Sequence, residues 1–332
     1  MELSIAEGQI INIRRSTSKE KVPMFLIKDM LAHGGFGGIY VARDLTRDRE
    51  IVLKMESHKA KHPQLEIEKE IYSLIYDRKT QFIPHFPMFH RFQQKVKLDF
   101  LGENEKKESN LFNLLAIERL GPNLYHILRR SKKRKFHLEE NRGKFKEGIS
   151  LKAVMEIAVQ CFECIEFLHE KKVVHRDIKP DNFVVGLIGT SKRSVVHLVD
   201  FGLAKKYESK NVFMPKEAKY CTGTDSYMSL HVQASRRNPS LRDDCISLCY
   251  TLFELYRGVL WWSKLKIENK KEKVKKIIEL KHAQLKQGVQ EEFPEMKQIQ
   301  NILENCYAMA FTEFPNYEMF RTQLRGCTTD YS

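Results

Sequence analysis

The sequence predicts an α+β fold in two lobes, a small antiparallel β-sheet lobe with one main helix followed by a larger, mainly α-helical lobe. Three observations predict it. Up to about residue 120 the apolar residues come in short runs divided by glycine and polar turns, the punctuation of strands. Beyond about residue 150 they recur at three- and four-residue spacing, the mark of amphipathic helices. The length, 332 residues, is enough for two buried cores.

Residues 1–23 read as an N-terminal extension. Strands are expected at Met24–Leu31, Ile39–Ala42 and Ile51–Met55. Pro63 opens a helix expected to run through Arg78, with Leu65, Ile67, Ile71, Leu74 and Ile75 at mostly helical spacing. Two further strands lie near Met88–Val96 and Phe112–Ile117, separated by the polar stretch GENEKKESN. Gly121-Pro122 then punctuates the chain. The domain is expected over 24–326, with a first lobe 24–117, a hinge 118–122, a second lobe 123–326 and a tail 327–332. Such a hinge places a ligand cleft between the lobes.

In the second lobe a short helix is expected from Asn123 to Leu128. After it, Arg129 to Lys135 holds six Lys or Arg among seven residues and reads as an exposed basic loop. Its roles divide between a solvated insertion, nuclear import and docking of acidic substrates. Val154, Ile157, Cys161, Ile165 and Leu168 mark one long helix, and Ile246, Cys249, Phe253 and Tyr256 another. More helices are expected near 269–287, 296–310 and 316–325. Between the first two lies a glycine- and strand-rich stretch, 173–241, that holds most of the polar motifs.

With 42% hydrophobic and 30% charged residues, the composition is that of a globular protein and excludes wholesale disorder. The net charge of +14 favours acidic partners: nucleic acid, an anionic membrane or acidic protein by charge alone. No nucleic-acid module accompanies it, so no specific nucleic acid is expected. The most apolar helix, Cys245 to Tyr256, is too short to span a bilayer, and the start carries no signal-peptide pattern. The expected location is intracellular, cytoplasmic with the nucleus as an alternative. The seven cysteines form no zinc or disulfide framework and read as small core residues.

The chemistry lies in motifs that follow a fixed order. His33 to Tyr40 reads HGGFGGIY, a turn whose glycines let backbone N–H groups approach a polyphosphate; alone it is equally a plain hairpin. Lys54 ends an apolar strand seventeen residues after Gly37, and Glu68 lies fourteen residues further, on the helix, where it can pair with Lys54. His175 to Asn182 reads HRDIKPDN. Asp177 can orient an attacking hydroxyl as catalytic base, Lys179 can balance charge on a transferring phosphoryl group, and Asn182 can ligate a metal. Eighteen residues on, Asp200-Phe201-Gly202 supplies a second metal ligand, the Asp200 carboxylate. Thr224 can hydrogen-bond Lys179 and Asp177, and Asp244 can accept backbone N–H bonds from the 175–182 loop.

This set resembles the protein kinases. Lys179 two residues after Asp177 is similar to the serine/threonine type. KHPQLEIEKEIY, LGPNL, HRDIKPDNF, DFGLAKKY and Arg242–Asp244 further resemble the casein kinase 1 group, including its tau-tubulin branch, over roughly residues 24–326. The resemblance implies a bilobal protein-kinase-like fold, ATP and Mg²⁺ as cofactors and protein substrates; the net charge of +14 makes acidic substrates the expectation, and the chain is expected to be a monomer. Carried over by position, Ala32, His33, Gly34, Gly35, Phe36, Gly37 and Lys54 would meet the phosphates. Ile117 would be the gatekeeper, with Glu118 and Leu120 holding adenine. The resemblance also implies activity without phosphorylation of Ser209, Tyr220 or Thr222.

Three positions depart from that pattern. Ala32 replaces the first loop glycine, and Val52 replaces the alanine that lies against adenine. Asp225-Ser226 stands where the group has Ala-Arg, which removes the arginine that would bind a priming phosphate. The rival reading is a pseudokinase scaffold of the same fold.

Overall fold

The computed structural model describes residues 7–14, 24–34, 37–76, 83–100, 111–138, 148–207, 221–288 and 292–329. The chain divides into two compact units: one runs to Leu120 and adds Asp200–Gly202, and the other holds Gly121–Val199 and the chain from Leu203 onward.

The first unit is a closed antiparallel barrel. Its strands are β1 (Ile10–Arg14), β2 (Met24–Gly34), β3 (Gly37–Asp44), β4 (Arg49–Ser57), β5 (Phe89–Phe100) and β6 (Leu111–Glu118), with α1 (Gln64–Ile75) between β4 and β5. The spatial order is β1-β2-β3-β4-β6-β5, and β1 closes the ring by pairing with β5. Alternation along each strand sends Phe25, Ile27, Tyr40, Ala42, Ile51, Leu53, Met55, Phe112, Leu114 and Ala116 into one core. That period-two rule puts Lys54, between Leu53 and Met55, on the other face of β4. A side chain of β4 also starts the helix: Glu56 accepts the backbone N–H of Gln64 at 2.6 Å, satisfying one of the orphan donors of α1.

Two expectations change here. Residues 10–14 are not extension but a barrel strand, since Ile11 pairs with Phe25 and with Phe100. Helix α1 ends at Ile75, and the Tyr76 hydroxyl donates to the carbonyls of Phe86 and Pro87. Gly35, Phe36 and the stretch 101–110 lie outside the described residues.

The second unit contains α2 (Leu124–Leu138), α3 (Leu151–Glu170), α4 (Leu230–Gln233), α5 (Leu241–Arg257), α6 (Lys270–Gln287), α7 (Lys297–Ala308) and α8 (Tyr317–Thr329). Two small ribbons, β7 (Val173–Val174) with β10 (Lys205–Lys206) and β8 (Phe183–Val185) with β9 (Val196–Leu198), carry the polar motifs. Helix α5 is buried from Leu241 to Tyr256. It starts at a capping box, the Asp243 carboxylate accepting the Ser240 N–H at 2.7 Å, and stops at Gly258, whose φ of 94° is left-handed. Cys161, Cys164, Cys245, Cys249 and Cys306 are buried among apolar neighbours, and burial pushes the Cys164 thiol up.

A third expectation fails in this unit. Arg129 to Lys135 is helix, not loop, because α2 continues through it to Leu138. Lys and Arg are good helix formers, and the first turns, anchored by buried Leu124 and Leu128, give the basic run a nucleus to extend.

Candidate active site

The first unit brings together Lys54, Glu68 and Asp200. The Lys54 Nζ lies 2.9 Å and 2.8 Å from the two Glu68 oxygens and 3.6 Å from Asp200 Oδ1. Lys54 and Glu68 are both buried, while the Asp200 side chain is 43% exposed. Burial pulls the Lys54 ammonium down, but Glu68 and Asp200 outweigh it and its pKa ends raised. Burial raises the Glu68 pKa against the pull of Lys54.

Asp200 holds a left-handed φ of 67°, a region that non-glycine residues seldom adopt, and its neighbour Phe201 is buried. The Phe201 ring packs edge-on against Tyr72 at 5.1 Å and tilted against Phe86 at 6.2 Å. A side chain at Gly202 would meet the Gln64 Cβ at 2.9 Å.

The glycine turn is the end of a hairpin: His33 pairs with Gly38, and Gly34 with Gly37. Gly37 has φ 152°, and a Cβ there would sit 1.8 Å from the Met55 carbonyl oxygen. Nothing larger fits. Ala32 and His33 are exposed on β2. Ile117 is buried on β6 and pairs in register with Val52 of β4. Glu118 is fixed at both ends, its N–H donating to the Met88 carbonyl at 2.8 Å and its carboxylate accepting the Met88 N–H at 3.0 Å. Next to it, Arg119 and Lys28 share the Glu50 carboxylate, which ties the chain before Leu120 to β2 and β4.

In the second unit Asp177 stands at the centre of a small network. One carboxylate oxygen accepts the Thr224 hydroxyl at 2.7 Å, and the other accepts the Lys179 ammonium at 2.6 Å. Lys179 also reaches the Thr224 hydroxyl oxygen at 3.3 Å. Asn182 donates its side-chain N–H to the Asp177 carbonyl at 2.8 Å, which fixes the orientation of the amide. Gly223 permits the approach: it has φ 116°, and a Cβ would lie 2.6 Å from the Arg176 carbonyl oxygen.

Asp244 shapes this loop from below, as expected. Its carboxylate accepts the N–H of His175 at 2.7 Å and of Arg176 at 2.9 Å, holding Arg176 at φ 69°. Sequence reasoning did not find what holds Asp244. His169 bonds it through Nε2 at 3.0 Å, and the Tyr317 hydroxyl of α8 bonds His169 Nδ1. The only signal was a histidine and a tyrosine on otherwise apolar helix faces. The Arg176 guanidinium donates to the Leu203 carbonyl at 2.6 Å, and Ser209 and Tyr220 lie outside the described residues.

With that geometry in view, the comparisons identify the class. The protein kinase domain family matches residues 25–318, and the chain belongs to it. More narrowly, it is 31% identical over 313 residues to Casein kinase I homolog 1 of Saccharomyces cerevisiae, an overlap of 92% of this chain and 51% of that protein. The chain spans about half the length of that curated relative.

Proposed function

We propose that this chain transfers the γ-phosphoryl group of ATP to serine or threonine hydroxyls of other proteins. The observation that carries the proposal is the Asp177 carboxylate held between Lys179 and Thr224, with Asn182 bonded to its backbone. One oxygen of a carboxylate so held can accept the hydrogen bond of an incoming hydroxyl and aim its lone pair, the role of catalytic base. Lys179 then balances the charge that develops on the transferring group. Little covalent chemistry is required of the protein, so positioning and charge neutralisation account for most of the rate.

Each unit contributes its own part. In the first, the glycine turn from Ala32 to Gly37, with Gly35 and Phe36, would cover the phosphates, and Lys54, steered by Glu68, would meet them. Ile117, Glu118 and Leu120 would line the adenine position. Mg²⁺ suits the donors available, the partly exposed Asp200 carboxylate in the first unit and the Asn182 amide oxygen in the second, since it prefers hard oxygen ligands. When bound, Mg²⁺ supplies neutralisation of the phosphate charge.

The substrates are proteins of acidic character, as the net charge of +14 favours. Ser226 offers no guanidinium for a bidentate phosphate contact, so priming by a prior phosphate is not required. The kinase and scaffold readings part on one measurement. Asp177→Asn should keep ATP binding and lose turnover of an acidic protein substrate by about 10²–10⁴-fold, the scale of a positioned acid–base group. A parent protein without turnover, or a variant with the same kcat, would overturn the proposal.

A further inference from the structure

Lys281 on α6 takes no part in the chemistry proposed above, yet it is enclosed completely, with 0% exposure. Its Nζ donates to the carbonyls of Asp225 at 2.9 Å and Met228 at 2.7 Å, and to Gln233 Oε1 at 2.9 Å. The faces of Trp262 and Tyr250 close the cage at 5.1 Å and 5.4 Å. Two of the cage residues grip the same strip of backbone. The Trp262 indole N–H donates to the Ser226 carbonyl at 3.0 Å, and the Gln233 amide donates to the Asp225 carbonyl at 3.2 Å. The carbonyls of 225, 226 and 228 are therefore all held by buried side chains, immediately after Thr224, whose hydroxyl bonds Asp177.

Burying an ammonium costs several kcal/mol unless it is paired, and none of these three acceptors is a carboxylate. An apolar side chain would fill the space without that cost. What it would not do is satisfy three oxygens that converge on one point. A lysine ammonium is the side-chain group that offers three donors from a single atom. We propose that Lys281 is a positioning residue, a clamp that fixes the backbone of 225–228 in the shape that receives a peptide substrate beside Asp177. The peptide half of this rests on the kinase reading; the clamp does not.

The groups facing the ammonium set how it responds to pH. Gln233 of α4, Tyr250 of α5 and Trp262 face it as neutral groups, and the Asp225 carboxylate is the charge that acts on it among the described residues. Burial lowers its pKa to about 7, with Asp225 opposing. A neutral amine has two N–H donors for three acceptors, the Asp225 and Met228 carbonyls and Gln233 Oε1, so one of the three is released as pH rises and the grip on the strip loosens.

The test uses the full chain, an acidic serine peptide, and amide hydrogen exchange over residues 225–233. From pH about 6 to about 8.5 the parent's KM for peptide should rise about three- to tenfold, the worth of one hydrogen bond, while its KM for ATP stays constant. Lys281→Met should show the raised peptide KM at every pH and faster exchange over the strip. Gln233→Glu sets a carboxylate against the ammonium and should move the rise to higher pH. Parent-like peptide KM and exchange in Lys281→Met would overturn the clamp. If that variant does not fold, a Gln233→Glu profile identical to the parent's overturns it instead. If the parent phosphorylates no peptide, the kinase reading falls, and exchange over 225–233 in Lys281→Met no faster than in the parent at the same pH decides against the clamp by itself.

Discussion

Lys54 and Lys281 are both buried lysines, one in each unit, and their surroundings drive them in opposite directions. Lys54 lies against two carboxylates, Glu68 and Asp200, and its pKa is raised despite burial. Lys281 lies against carbonyls, an amide and two rings, and its pKa falls to about 7. Burial alone therefore does not decide the charge of a lysine; the formal charge of its partners does. The first arrangement suits the role proposed for Lys54, a group that stays cationic beside phosphate. The second suits a group whose task is geometric, since carbonyl oxygens fix a backbone in place where carboxylates would fix only side chains.

Removing the charge should separate the two roles most clearly. Lys54→Met is expected to lower kcat/KM by about 10²–10³-fold, the loss seen when a preorganised electrostatic donor is removed. Steady-state kinetics with ATP and the acidic peptide check this. An effect no larger than that of Lys281→Met would break the comparison.

A smaller and more specific change turns the first lysine toward the second. Glu68→Gln keeps an oxygen acceptor and removes its charge, leaving Lys54 with Asp200 as its remaining carboxylate partner at 3.6 Å. The expected loss is about tenfold or somewhat more at neutral pH, the scale of one charge-assisted hydrogen bond. The variant should also gain an alkaline limb in its kcat/KM profile that the parent lacks, because the Lys54 pKa falls. Equal profiles for the two proteins would show that Asp200 alone holds the ammonium charged.

How much of this was legible in the sequence follows from what each feature depends on. Lys54, Glu68, Asp177, Lys179, Asn182, Asp200, Thr224 and Asp244 could be picked out because the motifs that hold them follow a fixed order along the chain. The contacts of Lys54 with Glu68, of Thr224 with Asp177 and of Asp244 with the loop came out as read. Strand β1 was not legible. Its five residues are too few to mark a strand by pattern alone, and its place is set by pairing with β2 and with β5, the latter some ninety residues away along the chain. Helix α2 was misread past Leu128 because a dense run of cations resembles a solvated loop, while helical propensity and a packed first turn extend it. Lys281 did leave a trace. It follows Ile277 by four residues and precedes Gln284 by three, so it falls on the buried stripe of α6. A lysine on such a stripe is a reason to look for its partners before counting it as surface.

The smallest expected effect is on stability, and its sign differs between the two lysines. A group whose folded pKa is raised contributes stability below its unfolded value, about 10.4 for lysine, and loses it as pH climbs through the folded pKa. Lys54 belongs to this case, so its contribution is constant across the neutral range and fades only in strong alkali. Lys281 is the reverse case. Its folded pKa of about 7 lies below the unfolded value, so the cost of enclosing the ammonium is carried in full below pH 7 and relieved as pH rises toward about 10.4. Urea unfolding of the parent and of Lys281→Met at pH about 7 and about 9 isolates that contribution. The stability of the parent relative to the variant should increase between the two pH values, by no more than about 1.4 kcal/mol per pH unit. Over the same interval the clamp is expected to loosen and the peptide KM to rise, so a weaker grip on substrate would accompany a more stable fold. That pairing separates a local change in the 225–228 strip from general unfolding, which would move both quantities the same way. A relative stability that does not change between the two pH values would mean that Lys281 stays charged in the folded protein, and the contrast with Lys54 would then disappear.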